Sequence, residues 1–304
     1  MKVVICYFSG TGNTAKVVEK YREQLTAHGE SVETYAMEKL LNDGMPEEFL
    51  NTLTSADMLG IGYPVHAFNA PSIVLKFVKS LPCSAEKKRA FIVSSSGEPL
   101  KLNNISSLKT QKILRRRNYT VTNEYRYCMP YNIMFRHTDT MAFRMWDVAR
   151  KMIAMDVQEI LDCTKHKLKR VFCGNFVAWI MRCEHWGGRL NGRQYKVDDK
   201  CVQCQKCINI CPQKNISIED GKIKFGKKCL MCQRCVQLCP KDSIMMGWFN
   251  KWKVHGAYTF AEPQEEQEQK YNKMLTKAYK KYFEECEKRT SPVGQVDNSE
   301  KNIQ

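Results

Sequence analysis

No stretch of the 304-residue chain comes near the run of about eighteen uncharged apolar residues that a membrane-spanning helix needs. The opening MKVVICYFSG passes from a short apolar run straight into a polar, glycine-rich loop, without the longer apolar core and small-residue cleavage site of a signal peptide. The expected setting is therefore the cytoplasm, with no membrane span. Outside residues 201–240 no two cysteines stand in a C-x2-C unit, so Cys6, Cys83, Cys128, Cys163, Cys173, Cys183 and Cys286 show no second metal pattern and no paired spacing. Buried small hydrophobe is the default reading for most of these. No nucleic-acid motif accompanies the net charge of +16, and no acid–base constellation for substrate chemistry stands out. A composition of 43% hydrophobic and 26% charged residues is that of an ordinary globular chain, long enough for two domains.

What the chain does have is concentrated in residues 201–240. The run C-x2-C-x2-C-x3-C-P occurs there twice, as Cys201, Cys204, Cys207, Cys211, Pro212 and as Cys229, Cys232, Cys235, Cys239, Pro240. Three thiolates at this spacing can bend around one iron–sulfur cube, while the fourth, carried past a turn, reaches the neighbouring cube. Cys201, Cys204, Cys207 and Cys239 are thus expected to hold one 4Fe-4S centre, and Cys229, Cys232, Cys235 and Cys211 a second. Paired zinc ribbons are the rival reading, but tetrahedral zinc has no use for a third evenly spaced cysteine followed by C-P. The two runs also align as an internal repeat, CVQCQKCINICPQKNISI against CLMCQRCVQLCPKDSIMM. Between them Ile216, Ile218, Ile223 and Phe225 flank Asp220-Gly221, which reads as a two-residue hairpin turn. Over about residues 196–250 the chain closely resembles the two-cluster ferredoxins, and eight cluster cysteines require a reducing compartment.

Residues 2–8 read as a strand buried on both faces, followed by Ser9-Gly10-Thr11-Gly12-Asn13-Thr14 and a helical segment to about Gly29. A glycine-rich turn opening a helix is an anion cradle. The string also satisfies the dinucleotide fingerprint through Gly10, Gly12 and Ala15. Its glycines, however, are crowded by side-chain donors, which suit one terminal phosphate better than a pyrophosphate. S-G-T-G-N-T resembles the phosphate loop of the flavodoxins. That resemblance implies FMN, its phosphate held by Ser9, Thr11, Asn13 and Thr14 without a basic side chain.

Further strands are expected at residues 32–35, 58–62, 90–94 and 119–125, with helices between them such as 71–80. The fold class is thus α/β, a doubly wound parallel sheet in the flavodoxin order, followed by a small α+β ferredoxin-like domain. Ligands of such sheets sit outside the carboxyl ends of the strands. The flavodoxin resemblance therefore makes Tyr63, Pro64, His66, Phe68 and Asn69 in one loop, and Ser95 and Gly97 in the next, the candidates for the flavin ring. Plain loop packing is the competing reading of Tyr63 and Phe68, and a locally bonded histidine that of His66. The second loop, SSSGEPLKLNN, lacks the aromatic that flavodoxins commonly stack there; the face is either open or covered by residues 129–132.

Residues 139–168 read as one long helix with a methionine stripe facing the core. The domains are expected at 1–165 (flavodoxin-like), 166–195 (apolar connector), 196–250 (ferredoxin-like) and 251–304 (amphipathic helix and disordered tail). The aromatic connector reads as packing between the domains, with a substrate pocket as the other possibility. Trp248 and Trp252 either cover a cluster or form a docking edge. The tail helix, with Tyr271, Leu275, Tyr279, Phe283 and Cys286 on one stripe, docks on its own protein, a partner or a membrane surface.

Two oxidised cubanes and one FMN would bring the charge to roughly +10. A basic ferredoxin-like protein suggests an acidic redox partner, with nucleic acid the weaker alternative. The chain as a whole resembles the flavodoxin–ferredoxin fusion proteins, and the implied function is electron transfer among a partner, two clusters and FMN. A terminal FMN-dependent reductase of a quinone or nitro compound, and a redox sensor, are the alternatives.

Overall fold

The computed structural model describes residues 1–291. Five parallel strands, β1 (Lys2–Tyr7), β2 (Ser31–Ala36), β3 (Met58–Pro64), β4 (Lys88–Ser96) and β5 (Tyr119–Cys128), form one sheet in the order β2-β1-β3-β4-β5. This is the flavodoxin-like doubly wound order, whose switch point lies between β1 and β3. Val3, Val4, Ile5 and Cys6 of β1 are all fully buried, as a central parallel strand covered on both faces requires.

Because side chains alternate along a strand, the sheet feeds two separate cores. Val4, Cys6, Leu59, Ile61, Ala90 and Ile92 meet Met37 and Leu40 of α2 (Met37–Asn42), Phe49 and Leu53 of α3 (Glu47–Ser55), Phe77 of α4 (Ser72–Ser80) and Leu114 of α5 (Leu108–Arg115). On the other face Val3, Ile5, Phe91, Val93, Tyr125 and Tyr127 meet Val17 and Tyr21 of α1 (Asn13–Ala27) and Ile153 and Val157 of α6 (Asp139–Leu161).

The helix expected over residues 139–168 ends earlier, at Leu161. Asp162 caps it, Cys163 takes a left-handed backbone (φ 59), and the chain then turns to run beside the free edge of β5, where Asn123 bridges His166 in parallel. The connector continues as α7 (Gly174–Met181) and α8 (Glu184–Gly192).

The second half is built on its internal repeat. β6 (Tyr195–Val197) pairs antiparallel with β9 (Ile244–Met246), and β7 (Ile216–Glu219) with β8 (Lys222–Phe225) across a turn in which Asp220 (φ 49) and Gly221 (φ 70) are both left-handed. Two short helices, α9 (Lys206–Asn209) and α10 (Arg234–Gln237), occupy matching places. Left-handed residues recur in register, Gln203 with Met231, Gln205 with Gln233 and Lys214 with Asp242, so the repeat is a repeat of backbone as well as of sequence.

The last helix, α11 (Lys273–Thr290), lies on α6 and buries Tyr279, Phe283 and Cys286 against Met145 and Val148. Arg289 near its end pairs with Asp156 and Glu159, each at 2.6 Å. Of the three surfaces expected for this helix it occupies its own protein's. Disorder was expected from about residue 290; Thr290 is helical, and residues 292–304 lie outside the described residues.

Candidate functional site

The eight repeat cysteines separate into two groups. Cys201, Cys204, Cys207 and Cys239 line one void with Val197 and Ile244, and Cys211, Cys229, Cys232 and Cys235 line another with Tyr195, Ile216 and Phe225. The crossing arises because each run enters its short helix at the third cysteine, Cys207 in α9 and Cys235 in α10, which carries the fourth towards the other half. Burial, with nearby Cys211 adding to it, pushes the Cys229 thiol up to about 12 and the Cys232 thiol up to about 11. Burial also drives Cys235 well upward, reinforced by Cys232, Cys229 and Cys211. Cys229, Cys232 and Cys235, whose ionisation burial opposes, become thiolates together most readily around a cationic centre, a donor chemistry that fits iron.

In the loop after β1, Ser9 Oγ accepts from the amides of Gly12 (3.2 Å) and Ala15 (3.1 Å). Gly12, left-handed at φ 109, caps α1 without a side-chain bond. Asn13 Nδ2 donates to Pro130 O (2.7 Å) and Thr14 Oγ1 meets Ser95 Oγ (2.8 Å), so these two side chains tie three loops together. Thr11 Oγ1 is buried without a hydrogen-bond partner among the described residues. An orphaned hydroxyl beside a helix N-terminus fits an anionic phosphate.

The expected ring contacts are placed unevenly. Tyr63 points into the first core beside Ile61 rather than over the loop, its hydroxyl near Ser106 and Ser107. Pro64 ends β3, and the Ala67 (φ 40) and Phe68 (φ 62) turn that follows is closed by paired amide bonds between His66 and Asn69. Asn69 is buried, with Nδ2 donating to Ala67 O (3.1 Å). His66 faces His185 and Glu184 of α8 and shares a void with Cys229; burial, with His185 beside it, lowers its imidazole to about 4. Phe68 is half-buried at the turn.

Gly97 is covered from residues 129–132: a side chain there would enter the ring of Tyr131, whose hydroxyl bonds Glu98. Tyr131 stacks on buried His137, which burial holds low, at about 4. The amide of Tyr131 donates to His137 Nδ1 (3.2 Å); Nε2 meets the Tyr279 hydroxyl (3.2 Å), which itself donates to Gly97 O (2.5 Å). This chain, absent from the expectations, fixes α11 over the second loop.

The two candidate sites touch. A Cβ on Gly10 would collide with the carbonyl oxygen of Cys232, and Leu230 and Cys232 pack on the first core of the sheet. Arg234, one residue before Cys235, donates to Gly10 O (3.0 Å), Ser9 O (2.5 Å) and Ile210 O (3.1 Å) and pairs with Glu38 (2.7 Å). The loop after β1 and the second cysteine set are thereby one packed unit. By contrast Cys204, in the first set, is exposed.

Residues 200–243 match the family described as 4Fe-4S dicluster domain. The chain thus joins a flavodoxin-like fold to a cysteine-rich region that is similar to the 4Fe-4S dicluster domains. Similar solved structures include a flavodoxin of Streptococcus pneumonia TIGR4 (11% identity, 54% of this chain and 99% of that one, TM-score 0.38) and that of Megasphaera elsdenii (17%, 51% and 98%, 0.36). An NAD(P)H:quinone oxidoreductase from Methanothermobacter marburgensis is similar at 16% identity over 53% and 96% of the two chains, with a TM-score of 0.37. No curated protein matches the chain.

Trp248 and Trp252 do not cover a cysteine set: neither lines the two cysteine voids, Trp252 stacks on Phe249, and both are exposed, as a docking edge would require. The connector also differs from expectation. Its glycines pack inward, Gly192 against Cys229 and Gly188 against Met231, whereas Phe172, Phe176, Trp179 and Trp186 face outward. At Gly192 only backbone fits beside the cysteine loop, since an added side chain would meet Cys229.

Proposed function

We propose that the protein is an electron-transfer iron–sulfur flavoprotein that exchanges single electrons with an external redox partner. A cubane passes one electron at a time and FMN holds one or two, so their union couples single-electron traffic to pair chemistry. Cys201, Cys204, Cys207 and Cys239 would hold one 4Fe-4S centre; Cys211, Cys229, Cys232 and Cys235 would hold the other. Thr11 and the helix that follows it would bind the FMN phosphate, with Ser9 shaping the loop and Asn13 and Thr14 bracing it against its neighbours.

The observation that carries this reading is the contact of Gly10 and Arg234 with the second cysteine set. The chain spends a glycine and a four-partner arginine on pressing an anion loop against a thiol cage. Arg234 also neutralises Glu38 beside the loop. The exposed Cys204 gives the first set an outward face on which an acidic redox protein can dock, as the basic charge suits. Iron, sulfide and flavin counted on one anaerobically purified sample test the reading: about eight irons, eight sulfides and one FMN per chain support it, and iron without flavin, copurified or added back, refutes the flavin half.

A further inference from the structure

The connector carries a surface that the electron-transfer reading does not use. Along α7 one stripe faces the protein, with Gly174 against Ile105 (2.7 Å for an added Cβ) and Ala178 buried. The opposite stripe holds Phe176, Trp179 and Ile180, exposed by 61%, 64% and 45%; Phe172 before it is 95% exposed, and Trp186 and Leu190 of α8 are 69% and 50% exposed. Apolar side chains of this size gathered on two helices, with their backbones anchored, mark an interaction surface rather than scattered exposure.

Its electrostatic surroundings are of one sign. Lys109, Lys112, Arg115, Lys167, Arg170 and Arg182 line an open groove between α5, β5 and α7. The carboxylate in it, Glu124, is buried and already paired with Arg170 (2.6 Å) and Lys167 (3.7 Å). Arg189 lies over the Trp186 ring, 5.9 Å from its centroid. Glu184 is the sole acid of α7 and α8, and it turns inward to the void shared with His66 and His185. The outward face is therefore aromatic and cationic, with no acid.

We propose that this face of α7 and α8 seats on the surface of an anionic lipid bilayer. Trp and Phe settle at the boundary between headgroups and acyl chains, and basic residues beside them draw the protein to negative lipid. An acidic protein would satisfy the charge as well; its binding through this face is an outcome that the test below separates from binding to lipid. The helices would lie on the bilayer, since no helix among the described residues is long and apolar enough to cross it. The inference goes beyond the electron-transfer reading and does not depend on flavin.

Cosedimentation of the full, cluster-loaded chain with vesicles tests it, using phosphatidylcholine with and without about one quarter phosphatidylglycerol at about 0.1 M salt. The account expects binding to the anionic vesicles, a blue shift of tryptophan emission, and a loss of about tenfold or more in the Phe176→Ser, Trp179→Ser, Trp186→Ser variant with iron content unchanged. Charge reversal at Lys112 and Arg115 should weaken binding without abolishing the blue shift at high lipid. Failure to bind anionic vesicles overturns the proposal, including when the chain binds an acidic protein through the same face. Binding that survives loss of the three aromatics also overturns it, because it would reduce the effect to adsorption of a basic chain.

Discussion

Gly10 of the loop after β1 and Cys232 of the second cysteine run lie so close that the Cys232 carbonyl oxygen occupies the place a side chain at Gly10 would need. Backbone meets backbone across a separation of more than two hundred residues in sequence, and neither partner can withdraw without moving its own site. Gly10→Ala is therefore expected to destabilise the fold by about 1–3 kcal/mol through overpacking. A matched fall in denaturation midpoint for the sheet and the dicluster domain would show that the contact couples them; an unchanged midpoint would show that it does not.

Arg234 supports the same junction through hydrogen bonds. Arg234→Ala leaves the Ser9, Gly10 and Ile210 carbonyls and the Glu38 carboxylate without their donor, in surroundings where the two side chains are only 17% and 13% exposed. A loss of about 2–4 kcal/mol is expected in chemical denaturation. Arg234→Lys should recover part of it at most, since an ammonium cannot reproduce the fork that reaches four acceptors.

Thr11 separates binding from stability. Its hydroxyl is buried and unpartnered, so Thr11→Val should leave the flavin-free protein as stable or slightly more so. The same change should weaken FMN binding by about tenfold if the hydroxyl donates to phosphate. Fluorescence titration with FMN reads the second effect and thermal unfolding the first.

His137 should give the stability a pH dependence. Burial lowers its pKa from the ordinary 6.5 to about 4, and a proton on Nδ1 would face the Tyr131 N–H that now donates to it. With the folded pKa depressed, this contribution is fully present above about pH 6.5 and is lost as the pH falls towards about 4, amounting to on the order of 3 kcal/mol. Unfolding followed from pH 7 to pH 4 should show the loss, and His137→Gln should flatten that part of the profile. A profile unchanged by the substitution would mean that another group titrates.

Much of this was legible in the sequence, for physical reasons. The cysteine spacing announces a cage because metal geometry tolerates few alternatives, and the turn at Asp220-Gly221 announces a hairpin because both residues must be left-handed. The strands are continuous apolar runs because they are buried twice over. Tyr63 lies in register with Leu59 and Ile61, so strand alternation alone places it in their core. The connector's composition is apolar, but composition does not say which way a side chain points; its glycines carry the contact. The early end of α6 depends on an edge of β5 that has to be covered, a tertiary demand with no local mark. Arg234 looks like any surface arginine until the chain is folded.

The most direct measurement of the central claim is an anaerobic reductive titration of the purified protein, followed by absorbance and electron paramagnetic resonance on the same sample. The account predicts that electrons added in sub-stoichiometric amounts distribute between flavin and iron–sulfur signals within one molecule, independently of protein concentration. Flavin and clusters that titrate as though in separate solutions, exchanging only on collision, would contradict it.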